Sequence, residues 1–68
     1  MNKLREIREG RGMSQRLLSE KVHIAQSLIS MVELGNLKPW PKLKRRLARV
    51  LKVTEAELFP TEEASKRG

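Results

Sequence analysis

The sequence has 68 residues, of which 15 are lysine or arginine and eight are acidic, and its net charge at pH 7 is +7. A chain of this length allows one small domain, which buries only about 60% of its unfolded surface. It contains no cysteine and no aspartate, and its only histidine is His23. Disulfides, thiolate zinc sites and most acid–base active sites are thereby excluded. An enzyme is disfavoured, and we expect neither a metal nor another cofactor.

The charge is unevenly distributed along the chain. Seven basic residues and no acidic ones lie between residues 38 and 52, whereas residues 53–63 contain four glutamates and no lysine or arginine. A strongly basic domain is typical of proteins that bind nucleic acid, and the alternative is a basic surface that only aids solubility. No apolar run approaches the roughly 20 residues that span a bilayer, and there is no signal-peptide pattern. We therefore expect a cytoplasmic protein with no membrane contact.

The helical spacing of apolar residues predicts short helices, and no segment shows the alternation typical of a strand. The first helix is expected to end near Arg11, with Gly12 as its C-cap. Ser14 is a suitable N-cap for the second helix, and Gly35 can end the third in the left-handed conformation. The apolar positions of these three helices are Leu4, Ile7, Leu17, Leu18, Val22, Leu28, Ile29 and Val32.

The second half of the chain adds two further helices. Pro41 suits the first position of the fourth helix. The apolar stripe of that helix comprises Leu43, Leu47, Val50 and Leu51. Thr54 and Glu57 form a capping-box pattern that opens a short fifth helix. The prediction is an all-α, compact five-helix bundle, with one domain over residues 1–60 and a flexible polar tail over residues 61–68.

Only His23, Ile24 and Ala25 separate the second helix from the third. Two amphipathic helices joined by so short a link have the layout of a helix-turn-helix, whose second helix enters the major groove of DNA. The apolar side chains that would lock the two helices together are Leu18, Val22, Ile24, Ile29 and Val32. The side chains on the outward face of the third helix are Gln26, Ser27, Ser30 and Met31. Many helical bundles also contain such a link, so the spacing alone is a weak signal.

Several motifs resemble the phage lambda repressor/Cro-like family, also called the XRE family. The resemblance covers residues 3–59 and rests on segments 13–15 and 26–39, and on the leucine-rich helix and short capped helix over residues 43–59. It implies a transcriptional regulator, most often a repressor, that binds a palindromic operator in double-stranded DNA as a homodimer, with a recognition helix over about residues 26–34. No small-molecule ligand is expected. The alternative is an antitoxin-type or controller protein whose main partner is another protein and which binds DNA for autoregulation.

The resemblance also implies roles for individual residues. Gln15 would bond a phosphate and brace Gln26. Gln26 would read an adenine through N6 and N7, which the geometry of a glutamine amide independently supports. Ser27 and Ser30 would face neighbouring bases, and Met31 would contact apolar groups such as a thymine methyl. The alternative for Gln26 and Ser27 is that they are ordinary solvated residues at the start of a helix.

Three further groups of residues are implied in the same way. Arg8 and Glu33 would brace the recognition helix, the alternative being a surface ion pair worth about 0–1 kcal/mol. The expected phosphate contacts are Arg11, Gln15, Arg16, Asn36, Lys38 and Lys42. The expected dimer contacts are Trp40, Val53, Leu58 and Phe59. The alternative for Trp40, Leu58 and Phe59 is that they cap the core of their own chain.

The sequence departs from the family pattern in the turn itself. His23 stands where the family has glycine, so we expect the backbone there to be either strained or slightly rearranged, and histidine tolerates a positive φ better than most residues. We interpret His23 as a turn residue rather than as a pH switch or a metal ligand. Ala25 replaces the usual Ser/Thr cap of the third helix, at a cost of roughly 1 kcal/mol.

Overall fold

The computed structural model describes residues 2–60. The tail predicted for residues 61–68 lies outside the described residues. Residues 2–60 contain five helices and no strand, which confirms the predicted all-α fold. The helices are α1 (Leu4–Gly10), α2 (Gln15–Val22), α3 (Gln26–Glu33), α4 (Pro41–Leu51) and α5 (Glu55–Leu58). None of these helices is both long and apolar enough to cross a membrane.

Local sequence signals account for most of the helix ends. Ser14 and Thr54 are N-caps whose side-chain oxygens accept hydrogen bonds from the backbone N–H three residues later, at 3.0 and 3.1 Å. Pro41 is the first residue of α4. Gly12 and Gly35 follow α1 and α3 with φ of +71° and +81°, a conformation in which glycine is not strained. These features confirm the predicted boundaries.

The helices enclose one apolar core to which every helix contributes. Its most deeply buried side chains, each at most 1% exposed, are those of Leu4, Leu18, Val22, Ile29, Val32, Leu43, Leu47, Leu51, Leu58 and Phe59. Of the predicted underside of the helix-turn-helix, only Ile24 is partly exposed, and Val50 of α4 is likewise half-buried. The backbone N–H of Lys3 donates to the Leu58 carbonyl at 2.9 Å. The start of the chain is thereby tied to α5.

Candidate nucleic-acid interface

α2 and α3 are each eight residues long and are packed against each other across the turn formed by residues 23–25. His23 ends α2 in the left-handed conformation, with φ +60° and ψ +43°. The N–H groups of His23 and Ile24 both point to the Ser19 carbonyl, at 3.0 Å from the Ile24 nitrogen. This C-cap satisfies the Ser19 carbonyl, which the helix end would leave free.

The outward face of α3 begins with two side chains that have no partner in the fold. Gln26 and Ser27 are exposed, and their side chains make no hydrogen bond or ion pair within residues 2–60. Met31 is 39% exposed one turn further along, whereas Ser30 is half-buried. The four predicted base-reading side chains therefore differ in accessibility. Gln26 and Ser27 are the most available to a ligand.

A buried ion pair joins the end of α3 to α1. Arg8 Nε donates to Glu33 Oε2 at 2.6 Å and Arg8 Nη2 donates to Glu33 Oε1 at 3.2 Å. Arg8 is 7% exposed and Glu33 is 6% exposed, so the pair is not the surface pair considered as the alternative. Arg8 Nη1 also donates to the Met13 carbonyl at 2.7 Å. The bidentate geometry fixes the rotation of Glu33, and with it the end of α3, relative to α1.

Gln15 belongs to this network. Its Nε2 donates to Glu33 Oε1 at 3.0 Å, and its side chain is half-buried at the start of α2. The expectation that Gln15 braces Gln26 directly therefore needs correction, because the hydrogen bond that it makes within residues 2–60 leads to Glu33. Gln15, Arg8 and Glu33 together link α1, α2 and α3. Gln15 therefore supports the end of α3 through Glu33.

The residues expected to contact phosphate differ in whether their side chains already have a partner within the fold. Lys38, Lys42 and Asn36 are exposed, and their side chains have no partner within residues 2–60. Arg16 is exposed and forms an ion pair with Glu20 one helical turn away, with 3.4 Å between Nε and Oε2. Arg11 Nε donates to the Leu51 carbonyl at 2.9 Å, which caps the end of α4. The guanidinium of Arg11 therefore has a structural partner already.

The residues expected at the dimer interface divide into two pairs. Leu58 and Phe59 are 0% and 1% exposed because they fill the chain's own core. The prediction that their side chains contact a partner is contradicted by this packing, and the alternative of a core cap describes them instead. Trp40 is 40% exposed at the N-cap of α4, and Val53 is half-buried just after α4. These two side chains remain accessible on the surface.

Two positioning side chains were missed by the sequence analysis. Asn2 Nδ2 donates to the Val32 carbonyl of α3 at 2.7 Å, while Asn2 Oδ1 accepts from the Leu4 N–H of α1 at 3.0 Å. Arg46 Nη1 donates to the Val22 carbonyl at the end of α2 at 3.2 Å. The bonds to the Val32 and Val22 carbonyls each join residues 24 or more positions apart. No local pattern in the sequence signals such bonds.

A groove of about 670 Å³ lies between α1 and α3, beside the Arg8–Glu33 pair. It is lined by charged and polar residues, including Arg5, Glu6 and Glu9, together with Leu34. Within residues 2–60 there is no group of three side chains that could hold a metal ion.

The comparison with protein families agrees with this geometry. A helix-turn-helix family model matches residues 4–58, which include all five helices. A search of curated proteins found no significant match to this chain. The matched family consists of DNA-binding regulatory domains and is not typically enzymatic. The chain therefore belongs to the helix-turn-helix family of the XRE type, whose members are lambda repressor/Cro-like DNA-binding transcription regulators.

Proposed function

We propose that this protein is a sequence-specific repressor that binds a palindromic operator as a homodimer, with α3 in the major groove of double-stranded DNA. The observation that carries the proposal is the combination of accessible, uncharged side chains at the start of α3 with a buried ion pair that holds the end of the same helix. A side chain can discriminate bases only when it is accessible and when its helix is held at a fixed angle. Gln26 meets the first condition, and the Arg8–Glu33 pair meets the second.

Gln26 is the principal reading residue in this proposal. Its amide can donate to adenine N7 and accept from the N6 amino group, a bidentate match that other bases do not offer. Ser27 would contact a neighbouring base edge, and Met31 would pack against a thymine methyl. Ser30, which is half-buried, would contribute less.

Phosphate contacts would fix the position of the protein on the duplex without reading the sequence. Lys38, Lys42 and Asn36 lie in and after the α3–α4 loop, exposed and unpartnered within residues 2–60. Arg16 would have to exchange its ion pair with Glu20 for a phosphate. Arg11 would contribute only through the part of its guanidinium that does not bond Leu51.

The reading function is tested by Gln26→Ala together with a selection of bound sequences from random DNA by the wild-type protein. Gln26→Ala should weaken binding to the selected site by about 1–3 kcal/mol and leave binding to unrelated duplex DNA almost unchanged. Gln26→Glu is a useful companion variant, because it keeps the size of the side chain and removes the amide donor. Equal losses on both DNAs would refute base reading by Gln26.

The homodimer is proposed because one short helix reads too few base pairs for useful specificity, and two half-sites about 34 Å apart solve this geometrically. With Leu58 and Phe59 buried, Trp40 is the best remaining anchor and Val53 a secondary one. Trp40→Ser should therefore weaken the dimer in sedimentation experiments, with a smaller effect for Val53→Ser. A Trp40→Ser variant that dimerises normally but unfolds more easily would instead make Trp40 a cap on its own core.

The same selection experiment also weighs the alternative of an antitoxin-type or controller protein. An enriched palindrome would support the operator and the dimer together. An absence of enrichment would favour a protein partner as the main function.

A further inference from the structure

α4 carries a row of exposed cations on its outer surface. The row consists of Lys42, Arg45, Arg49 and Lys52, and we call it the α4 stripe; all four residues are exposed. At about 100° per residue, Lys42, Arg45 and Arg49 fall within an arc of about 60° on α4, and Lys52 follows as its C-cap in the left-handed conformation. The buried leucines of α4 lie on the opposite side of the helix. The stripe therefore faces solvent along the whole length of α4.

The other cations of this helix already serve the fold. Arg46 donates to the Val22 carbonyl and so caps the end of α2. Lys44 is buried and has a partner. The side chains of the α4 stripe, in contrast, make no hydrogen bond or ion pair within residues 2–60.

Exposed arginines on α1 and α2 differ from those of the α4 stripe because they form ion pairs. Arg5 pairs with Glu9 and Arg16 with Glu20, each one helical turn away, at 3.3 and 3.4 Å. α4 contains no acidic residue at all. Like charges three or four residues apart repel each other on a helix, and a lysine in the first turn opposes the helix dipole. Repulsion within the stripe therefore opposes the stability of α4, whereas the helix dipole favours the cations at its C-terminal end, Arg49 and Lys52.

We propose that the α4 stripe binds the phosphate backbone of duplex DNA outside the base pairs that α3 contacts. This inference rests on the proposed function, because it concerns a second contact with the same DNA. From Lys42 to Leu51, where α4 ends, the helix rises about 14 Å at 1.5 Å per residue. Over that length one DNA strand passes about four phosphates, at 3.4 Å of axis each, while it also winds around the duplex. A straight helix can therefore meet only some of these phosphates, and the stripe has enough cations to contact them.

The composition of the surface favours DNA over a protein partner. Protein interfaces have a desolvated apolar centre, whereas no large apolar side chain is exposed between Lys42 and Lys52. α4 packs mainly on α2 and α5, while α3 packs on α1 and α2. The stripe and the reading face therefore lie on different helices. Contacts made by the stripe are electrostatic and independent of sequence.

The test compares two double variants that lose the same charge. Arg45→Gln/Arg49→Gln removes half of the stripe, and Lys3→Gln/Arg5→Gln removes two exposed cations near α1. Binding to a random-sequence duplex of about 30 base pairs is followed by fluorescence anisotropy from low to moderate salt. The slope of log K against log salt should become shallower by about 1.8 for the stripe variant, at 0.9 for each lost phosphate contact. The α1 variant should keep nearly the wild-type slope.

Thermal unfolding by circular dichroism shows that both variants are folded, and the stripe variant should melt no lower than the wild type at low salt because repulsion is relieved. On a duplex of about 12 base pairs that covers one selected half-site, the difference between the two variants should shrink. If the full difference between the two variants persists on this shorter duplex, the stripe contacts the half-site itself and the proposed location is wrong. Equal slopes for the two variants on the longer duplex would overturn the stripe as a DNA contact.

The proposed function is judged separately by sequence selection with the wild-type protein. If a site is enriched but the two double variants have equal salt slopes, base reading by α3 is retained and the α4 stripe is rejected as a DNA contact. If the salt slope depends on the stripe but no site is enriched, the stripe is retained as a DNA contact and sequence-specific reading is rejected. A wild-type protein that binds no duplex even at low salt would overturn both.

Discussion

Replacing Glu33 by alanine should destabilise the domain by about 3–5 kcal/mol, because it leaves the Arg8 guanidinium buried without a counter-charge. Three hydrogen bonds end on the Glu33 carboxylate, two from Arg8 at 2.6 and 3.2 Å and one from Gln15 at 3.0 Å. Arg8 is only 7% exposed, so water cannot replace these bonds without moving the helices. A domain of this size has a total stability of about 3–9 kcal/mol at 0.05–0.15 kcal/mol per residue. The variant should therefore be close to unfolding at room temperature.

Urea denaturation measures this loss, with the single tryptophan, Trp40, as the fluorescent probe. Glu33→Gln provides a measurable intermediate, because it removes the charge but keeps one oxygen that can accept from Arg8 or Gln15. The control is Glu20→Ala, which breaks an exposed pair with Arg16 at 3.4 Å. Exposed pairs of this kind are worth about 0.2–1 kcal/mol, so Glu20→Ala should shift the urea midpoint only slightly.

The double variant Arg8→Met/Glu33→Leu distinguishes the loss of the ion pair from the burial of an uncompensated Arg8 charge. Removing both partners and filling the space with apolar side chains should recover most of the stability lost in Glu33→Ala. If Glu33→Ala and Glu20→Ala cost the same, or if the double variant is less stable than Glu33→Ala, then burial of an uncompensated charge is not the cause of the loss.

Two further predictions concern the ends of the helices. Asn2→Ala should cost about 1–3 kcal/mol in urea denaturation, because it removes a cap of α1 and a bond to the Val32 carbonyl. Asn2→Asp keeps the cap but loses the donor to Val32, so it should cost less than Asn2→Ala; equal losses would contradict the cap, and no loss in Asn2→Asp would contradict the bond to α3. Ala25→Ser should stabilise the domain by about 1 kcal/mol, since α3 has no side-chain cap. A Ser variant with an unchanged urea midpoint would mean that the turn cannot orient the new hydroxyl.

The fold was largely predictable because its helix ends are set by local chemistry. Ser14, Pro41 and Thr54 act within three residues of their own position, where sequence spacing translates directly into geometry. The left-handed conformation of His23 was instead indicated by the resemblance, because the family has glycine at this position. Lys52 also has a positive φ, of +59°, but nothing about a lysine signals this conformation, and it was not predicted.

The support of α3 was only partly predictable, because it depends on which distant segments meet. Gln15 was expected to reach Gln26, but the folded chain brings Glu33 to it instead. Asn2 contacts a carbonyl 30 residues away, and no periodicity encodes such a pairing. Leu58 was expected at a dimer interface because the family's dimers use the final helix, but here its side chain is buried in the core of its own chain. The start of the chain, bonded to the Leu58 carbonyl through Lys3, shows how α5 closes the core.

The net charge of +7 is a poor guide to where DNA is read, because the basic residues have different roles. Arg8 and Arg46 bond groups inside the fold, and Arg16 is neutralised by a nearby glutamate. Only cations that are exposed and unpartnered, such as Lys38 and those of the α4 stripe, can displace counterions from DNA at little cost. The reading face of α3 contains no such cation, which favours discrimination between bases. A lysine in place of Gln26 would be attracted to every phosphate, whereas an amide gains most where an adenine edge presents both its donor and its acceptor.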